Sequence, residues 1–149
     1  SGAYQHAVAE AADVELFCAA CPGFVEFVER GETASEQVTV WAERLLAPLV
    51  HAKIDTLLLG CTHYPFLART ISDVLGRDVV LVSSAEETAF SVRAALQASG
   101  NLACEAGRPR PDRPAEHRWF SSGDVVWFRT LGAQLLGPEL SHAEAVTWP

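Results

Sequence analysis

Short apolar runs bounded by polar or turn residues are the clearest pattern in the first hundred residues. Leu57–Leu59, with Ile54 just before it, forms one such run, and residues 79–82 (VVLV) form another. Runs of this length and composition are typical of strands buried on both faces of a parallel sheet. Residues 14–21 (VELFCAAC), which end at Pro22-Gly23, predict a further short strand.

Apolar residues at helical spacing occupy the stretches between these runs. Thr33 to Glu36 and Ser84 to Glu87 have the spacing of capping boxes, and Pro48 is expected to kink or end the helix that contains it. The predicted helices cover residues 5–12, 24–28, 33–50, 66–75, 84–99 and 124–136. Regular alternation of strand and helix predicts an α/β fold with helices on the faces of a parallel sheet.

The last third of the chain is less regular. Residues 105–116 (EAGRPRPDRPAE) are rich in proline and charge, which predicts a surface loop. A short strand over 117–121 is expected to follow it, and Gly137-Pro138 to stop the last helix. The final ten residues look like a tail.

Composition narrows the class of protein. The chain has 149 residues, 49% of them hydrophobic and 20% charged, and a net charge of −8. This charge argues against a nucleic-acid partner or an anionic membrane surface, and no apolar stretch is long enough to span a membrane. Four cysteines are too few for a disulfide framework at this length, so we expect free thiols and a cytoplasmic location.

Cys61-Thr62-His63 follows the apolar run after Gly60 and precedes Tyr64-Pro65. A proline suits the first turn of a helix, so these three residues are expected in a strand-to-helix loop at the carboxyl edge of the sheet, where α/β proteins bind ligands. The amino end of a helix stabilises a thiolate and binds anions through its dipole and its free N–H groups. His63 is close enough to exchange a proton with the thiol. The alternative is that Cys61 is a small buried residue and His63 only caps the turn.

Two other groups deserve a chemical interpretation. Cys18 and Cys21 have the spacing of a redox or zinc motif, but a structural zinc site needs four ligands and no second pair is present in the sequence. We therefore predict no metal site. Glu29 ends a predicted short helix near the sheet edge, where a solvated position is the simpler interpretation. Ser83 and Ser84 fit a helix cap, which suffices to explain them.

The motif LLLGCTHYPFL resembles the second catalytic segment of the glutamate racemases, in the cofactor-independent amino-acid racemase family. The resemblance extends to ACPGFVEFVERGE, VVLVSSAEETA and SSGDVVWF…LGAQLLGPEL, in the same order, and covers residues 1 to about 140. These segments in order are a far more specific signal than the tripeptide GCT alone.

The resemblance implies a fold of two similar α/β halves that face each other across a cleft, with one catalytic cysteine from each half. Cys61 would be the acid/base of the second half, Thr62 would bind substrate, and His63 would bind substrate and assist proton transfer. Glu29 matches an acidic residue near the family's site. The implied reaction inverts glutamate without pyridoxal phosphate, metal or other cofactor. It supplies D-glutamate for peptidoglycan synthesis in a bacterial cytoplasm, and a homo-oligomer is compatible with the family.

This sequence lacks the family's early Asp-Ser segment and its first cysteine, which stands in an Asn-Thr context. We therefore expect residues 1–79 to form the second catalytic half and residues 80–149 to be a segment that packs with a first half this chain does not contain. The fragment alone is expected to be inactive. Two alternatives stay open: a non-catalytic binding module, and a racemase for aspartate. His63 favours glutamate, because related aspartate racemases usually carry Glu at this position.

Overall fold

The computed structural model describes residues 2–11, 13–102 and 116–148. It confirms the α/β class: helices alternate with short strands that pair in parallel. The helices are α1 Ala3–Val8, α2 Phe24–Glu29, α3 Glu36–Ala52, α4 Ala68–Leu75, α5 Ser84–Ala98 and α6 Val125–Leu136. The strands are β1 Thr56–Leu59, β2 Val80–Ser83, β3 Phe120–Ser121 and β4 Glu144–Ala145, and 3₁₀ turns cover Tyr64–Leu67 and Pro138–Leu140.

The parallel pairing of β1 with β2 is the feature that positions the candidate site. Thr56 lies opposite Val80 and Leu59 opposite Ser83, so the carboxyl ends of both strands meet at one edge. The chain between them forms the Tyr64–Leu67 turn and α4, which together make the helical crossover of a βαβ unit. β3 and β4 form a second parallel pair.

The hydrophobic core lies between α2, α3, α4 and β1. In α3 the buried residues Val38, Ala42, Leu46 and Leu49 recur at helical spacing and pack against α4. The other buried members of this cluster are Cys21, Phe24, Phe27, Val28, Leu59, Leu67 and Ile71. Burial of such a stripe is what makes an amphipathic helix stable in a folded protein.

Several predicted strand properties are wrong. Residues 14–21 form no strand: within the described part of the chain β1 pairs only with β2, and Val14, Leu16 and Phe17 are exposed. An apolar run signals burial, but a strand also needs a neighbour that completes its hydrogen-bond ladder. β1 and β2 are not buried on both faces either, because Leu58 is 45% and Val80 60% exposed. Only one face of this sheet packs on the core.

Three local predictions also need correction. The cap of α3 is Ser35 and not Thr33, because the Ser35 hydroxyl accepts from the backbone N–H of Val38. Of the two serines predicted to cap α5, Ser83 does so, through a hydrogen bond from the N–H of Glu86. α3 continues through Pro48 to Ala52, so the proline does not end it. The final residues are not only a tail, since β4 pairs with β3. The predicted loop at 105–116 lies, except for Glu116, outside the described residues.

Candidate functional site

The loop that carries Cys61, Thr62 and His63 lies where the sequence predicts it, between β1 and the Tyr64–Leu67 turn. Pro65 stands in the first turn of this 3₁₀ helix, where its missing N–H leaves no hydrogen bond unmade. The backbone N–H of Tyr64 donates to the carbonyl of Cys61 at 3.2 Å and that of Phe66 donates to the carbonyl of His63 at 3.1 Å. These bonds fold the loop tightly over the end of β1.

Glu29 approaches the loop from the end of α2. Its Oε1 lies 3.6 Å from Nε2 of His63, and both side chains are partly exposed to solvent. Nδ1 of the same ring lies 3.4 Å from Oγ1 of Thr62. The structure therefore brings together all four residues that the sequence singled out, and His63 lies between the carboxylate and the hydroxyl. Such an arrangement orients an imidazole for proton transfer.

Cys61 is half-buried beside this group. At Gly60, which precedes it, an added Cβ would lie 2.7 Å from the hydroxyl of Tyr4, so the Tyr4 side chain would have to move to admit one. α1 thus covers the start of the loop. A partly exposed thiol next to a histidine at the edge of a sheet can act as a nucleophile or as an acid/base.

Two residues to which sequence reasoning assigned no role in holding the loop also shape the site. The Ser84 hydroxyl donates to the carbonyl of Leu59 at 2.9 Å and so ties the start of α5 to the end of β1. The Tyr64 hydroxyl donates to the carbonyl of Cys21 at 3.3 Å, and the ring packs edge-on against Phe24, with 5.4 Å between centroids. Neither contact has a sequence signal, because each joins residues more than twenty positions apart.

Two groups near the site have shifted acidities. Burial raises the pKa of the Cys21 thiol. Burial also raises the pKa of Tyr64, and the negative charges of Cys21, Cys61 and Glu26 add to this effect. Both groups therefore keep their protons to higher pH than they would in an unfolded chain.

A cavity of about 870 Å³ runs beside β1, between this strand and residues 13–19. Cys61 lines it, together with Tyr4, Cys21 and Tyr64, whereas Thr62, His63 and Glu29 do not. The cavity lies between β1 and residues 14–21, which do not pair with this strand. We therefore place the candidate site on the side of the loop that carries the polar groups, not in this cavity.

Cys18 and Cys21 of the CxxC pair differ in environment. Cys18 is exposed and accepts from Nε2 of Gln5 at 3.4 Å, while Cys21 is buried in the core. No group of three or more metal-ligating side chains occurs among residues 2–11, 13–102 and 116–148. No helix in the same part of the chain is long and apolar enough to cross a membrane.

Comparison with known proteins shows a relation to one group of enzymes over nearly the whole chain. The chain is 49% identical over 142 residues to the glutamate racemase of Acidothermus cellulolyticus, an alignment that covers 95% of this chain and 52% of that protein. The chain thus spans about half the length of the curated relatives it matches. No family model matches it.

Solved structures agree with this relation. Glutamate racemase isoform RacE1 from Bacillus anthracis superposes with a TM-score of 0.85 at 34% identity, over 99% of this chain and 53% of that one. The glutamate racemase from Francisella tularensis, solved in complex with D-glutamate, gives a TM-score of 0.80 at 26% identity over 98% of this chain and 53% of that one. The chain therefore has the α/β fold of about half a glutamate racemase.

Proposed function

We propose that this chain supplies one of the two proton-transferring cysteines of a glutamate racemase, which interconverts L- and D-glutamate. One observation carries the proposal. Cys61, Thr62, His63 and Glu29 meet at the carboxyl end of β1 in a chain similar to glutamate racemases over nearly its whole length. The complex of the Francisella protein with D-glutamate supports glutamate as the small-molecule substrate.

Inversion at Cα needs a base on one face of the substrate and an acid on the other. In the proposed reaction the Cys61 thiolate takes the proton from Cα, so that a C–H bond breaks and an S–H bond forms. A thiol on the opposite face, from the part of the enzyme outside this chain, then gives its proton to Cα. In the reverse direction the two sulfurs exchange roles. No cofactor takes part.

The neighbouring side chains have separate roles in this proposal. Thr62 binds the substrate through its hydroxyl, which lies 3.4 Å from Nδ1 of His63. His63 binds substrate and exchanges protons with Cys61 or with the substrate amine. The Glu29 carboxylate, 3.6 Å from the ring, orients His63. The pair of His63 and Glu29 resembles a catalytic base and the carboxylate that orients it, a recurring arrangement in catalysis.

The domain organisation follows from the same proposal. Residues 1–79 form the second catalytic half, and residues 80–149, which begin with the β2 strand paired to β1, pack with the part of the enzyme outside this chain through their later elements. The helices of this later segment support the assignment, because no residue of α5 or α6 is buried. Phe90, Val126 and Trp127 are 65%, 64% and 47% exposed. Exposed apolar surface of this extent is typical of an interaction site.

The proposed physiological role is to supply D-glutamate for peptidoglycan in the bacterial cytoplasm, in an enzyme that is compatible with a homo-oligomeric state. This role rests on the relation to bacterial glutamate racemases.

Circular dichroism of L-glutamate tests the activity. The 149-residue chain alone should leave the signal flat, because only one of the two bases is present. A fusion of this chain to the part of the Acidothermus racemase that it does not span should make the signal decay. Cys61→Ser in the fusion should abolish the decay, and His63→Ala should slow it.

Four results would contradict the proposal. The first is an inactive fusion that is folded, and the second is a Cys61→Ser fusion as active as its parent. Faster turnover of aspartate than of glutamate would show that aspartate, and not glutamate, is the substrate. Activity of the 149-residue chain by itself would show that a second base lies within it.

A further inference from the structure

Two consecutive backbone carbonyls just before α2 accept hydrogen bonds from aromatic side chains. The Tyr64 hydroxyl donates to the carbonyl of Cys21 at 3.3 Å, and the Trp41 indole Nε1–H donates to the carbonyl of Pro22 at 2.7 Å. Gly23 follows with a φ of +91°, and α2 begins at Phe24. We call Tyr64 and Trp41 the aromatic clamp.

We propose that the aromatic clamp positions Glu29 against His63, so that Tyr64 and Trp41 are positioning residues of the site. The inference rests on the proposed function of the Cys61 loop, because it concerns the alignment of two residues assigned to that function. Neither clamp residue needs to contact the substrate.

Tyr64 connects the loop of the site to α2. Tyr64 is the residue after His63 and belongs to the same tight loop, through the bond from its N–H to the carbonyl of Cys61. Its hydroxyl and ring contact Cys21 and Phe24, at the opposite end of α2 from Glu29. One side chain therefore links the loop that carries His63 to the helix that carries Glu29.

A small tilt at the start of α2 is enlarged at its far end, where Glu29 lies. Six residues of α-helix span about 9 Å, so a tilt of about 10° at Phe24 displaces Glu29 by roughly 1.5 Å. A displacement of this size moves the carboxylate, now 3.6 Å from the imidazole, out of contact. Hydrogen bonds to both carbonyls before the helix restrict such a tilt, because they fix the direction in which the chain enters it.

The backbone at Gly23 fits closely against the side chain of Trp41. A Cβ added there would lie 2.9 Å from the indole nitrogen of Trp41, and the positive φ already excludes most side chains. The backbone therefore lies directly against the indole ring. Burial and nearby negative charges raise the pKa of Tyr64, which keeps its hydroxyl protonated and able to donate.

Buried apolar residues also hold α2, since Phe24, Phe27 and Val28 are in the core. Such packing is non-directional, however, and permits small rotations and tilts that the two directional hydrogen bonds oppose. The experiment has to distinguish these two sources of order.

The test uses NMR of the 149-residue chain with labelled histidine. His63→Gln identifies the ring resonances of His63, and Glu29→Gln then gives the change in their chemical shift that is caused by the carboxylate. The same Glu29→Gln comparison is then made in the Tyr64→Phe and Trp41→Phe backgrounds. There the change in the His63 chemical shift should be smaller by about half or more, because coupling between two side chains weakens as they separate. Trp148→Phe, at a residue that is 78% exposed, is the control and should leave the change intact.

If Glu29→Gln changes the His63 chemical shift equally in the parent chain and in both clamp variants, the inference is overturned and packing is the source of alignment. Tyr64→Phe removes only one oxygen atom, so it decides the matter if Trp41→Phe does not fold. In the active fusion, the clamp variants should lower kcat about tenfold or more, since misplacement by about 1 Å has effects of this order. KM should change far less, and unchanged kcat would also overturn the inference. A wild-type fusion without activity would contradict the proposed function, while the NMR result would still decide the role of the clamp.

Discussion

At the scale of single residues, Ser84 illustrates how a side chain outside the motif supports it. Its hydroxyl donates to the carbonyl of Leu59, the last residue of β1, in a partly buried position. We expect Ser84→Ala to lower the free energy of unfolding by about 1 kcal/mol, the usual contribution of such a bond. Urea denaturation measures this change.

Ser99→Ala is a matched control, because the Ser99 hydroxyl donates to the carbonyl of Leu96 at an exposed helix end. Its effect should stay within about 0.5 kcal/mol, as for most surface substitutions. Equal losses in the two variants would contradict the importance assigned to Ser84.

Stability at alkaline pH is a second prediction at this scale. The pKa values of Cys21 and Tyr64 are raised above their ordinary values of 9.0 and 10.0. Each group loses its proton more easily in the unfolded chain, so its contribution to stability is complete below its ordinary pKa and is lost as pH rises through the folded value. The free energy of unfolding should therefore fall from about pH 9 upward.

Urea unfolding between pH 7 and pH 11 measures this profile. Cys21→Ala should lower stability at every pH but flatten the early part of the decline, because it removes one of the two groups. A decline with the same slope in Cys21→Ala would contradict the assignment to this thiol.

At the scale of secondary-structure elements, α3 contains a proline that the helix tolerates. Pro48 is exposed, and α3 runs from Glu36 to Ala52 around it. A proline within a helix removes one backbone hydrogen bond and crowds the carbonyl four residues earlier. We expect Pro48→Ala to raise the free energy of unfolding by about 1 kcal/mol or more.

Thermal and urea unfolding check this prediction, with Ala47→Gly as a control that should destabilise the same helix by about 1 kcal/mol. A loss of stability in Pro48→Ala would mean that the proline contributes favourable contacts or restricts the unfolded chain.

The elements that could be predicted from the sequence are those whose signals are local. The helix ends at Leu75 and Leu136, the helical spacing of apolar residues in α3 and the Cys61 loop before Pro65 all depend on neighbouring residues, and all are found as expected. The prediction of a strand at residues 14–21 is wrong, because strand pairing depends on a neighbouring strand that no local pattern specifies. The contacts of Ser84 and Tyr64 likewise depend on the tertiary fold.

The candidate site could be predicted in part for the same reason. Cys61, Thr62 and His63 are adjacent in sequence, and their place after a strand indicated a site. Glu29 lies 34 positions before His63, and only the family resemblance selected it against the simpler view of a solvated residue. The structure places it 3.6 Å from His63, although its role in catalysis stays a prediction.

At the scale of the whole molecule, burial is uneven along the chain. Apart from Leu140, the buried apolar residues lie between Cys21 and Ile71, whereas α5 and α6 contribute none, among the residues that the structure describes. Since the relatives are about twice as long, the surface of these helices is where we propose that the rest of the enzyme packs. In the proposed reaction, this chain supplies one thiol of the pair, that of Cys61.

Deuterium incorporation shows whether two thiols on opposite faces of the substrate carry the reaction. The fusion protein is incubated with L-glutamate in D2O, the reaction is stopped at low conversion, and the two enantiomers are separated and analysed by mass spectrometry. A thiol holds one proton, so the sulfur that removes the Cα proton can return only that proton, while the opposite thiol delivers solvent deuterium. We expect deuterium in the D-glutamate formed, almost none in the remaining L-glutamate, and loss of the reaction in Cys61→Ser. Deuterium entering both enantiomers at the same early rate, or a Cys61→Ser fusion that still racemises glutamate, would contradict the two-thiol mechanism.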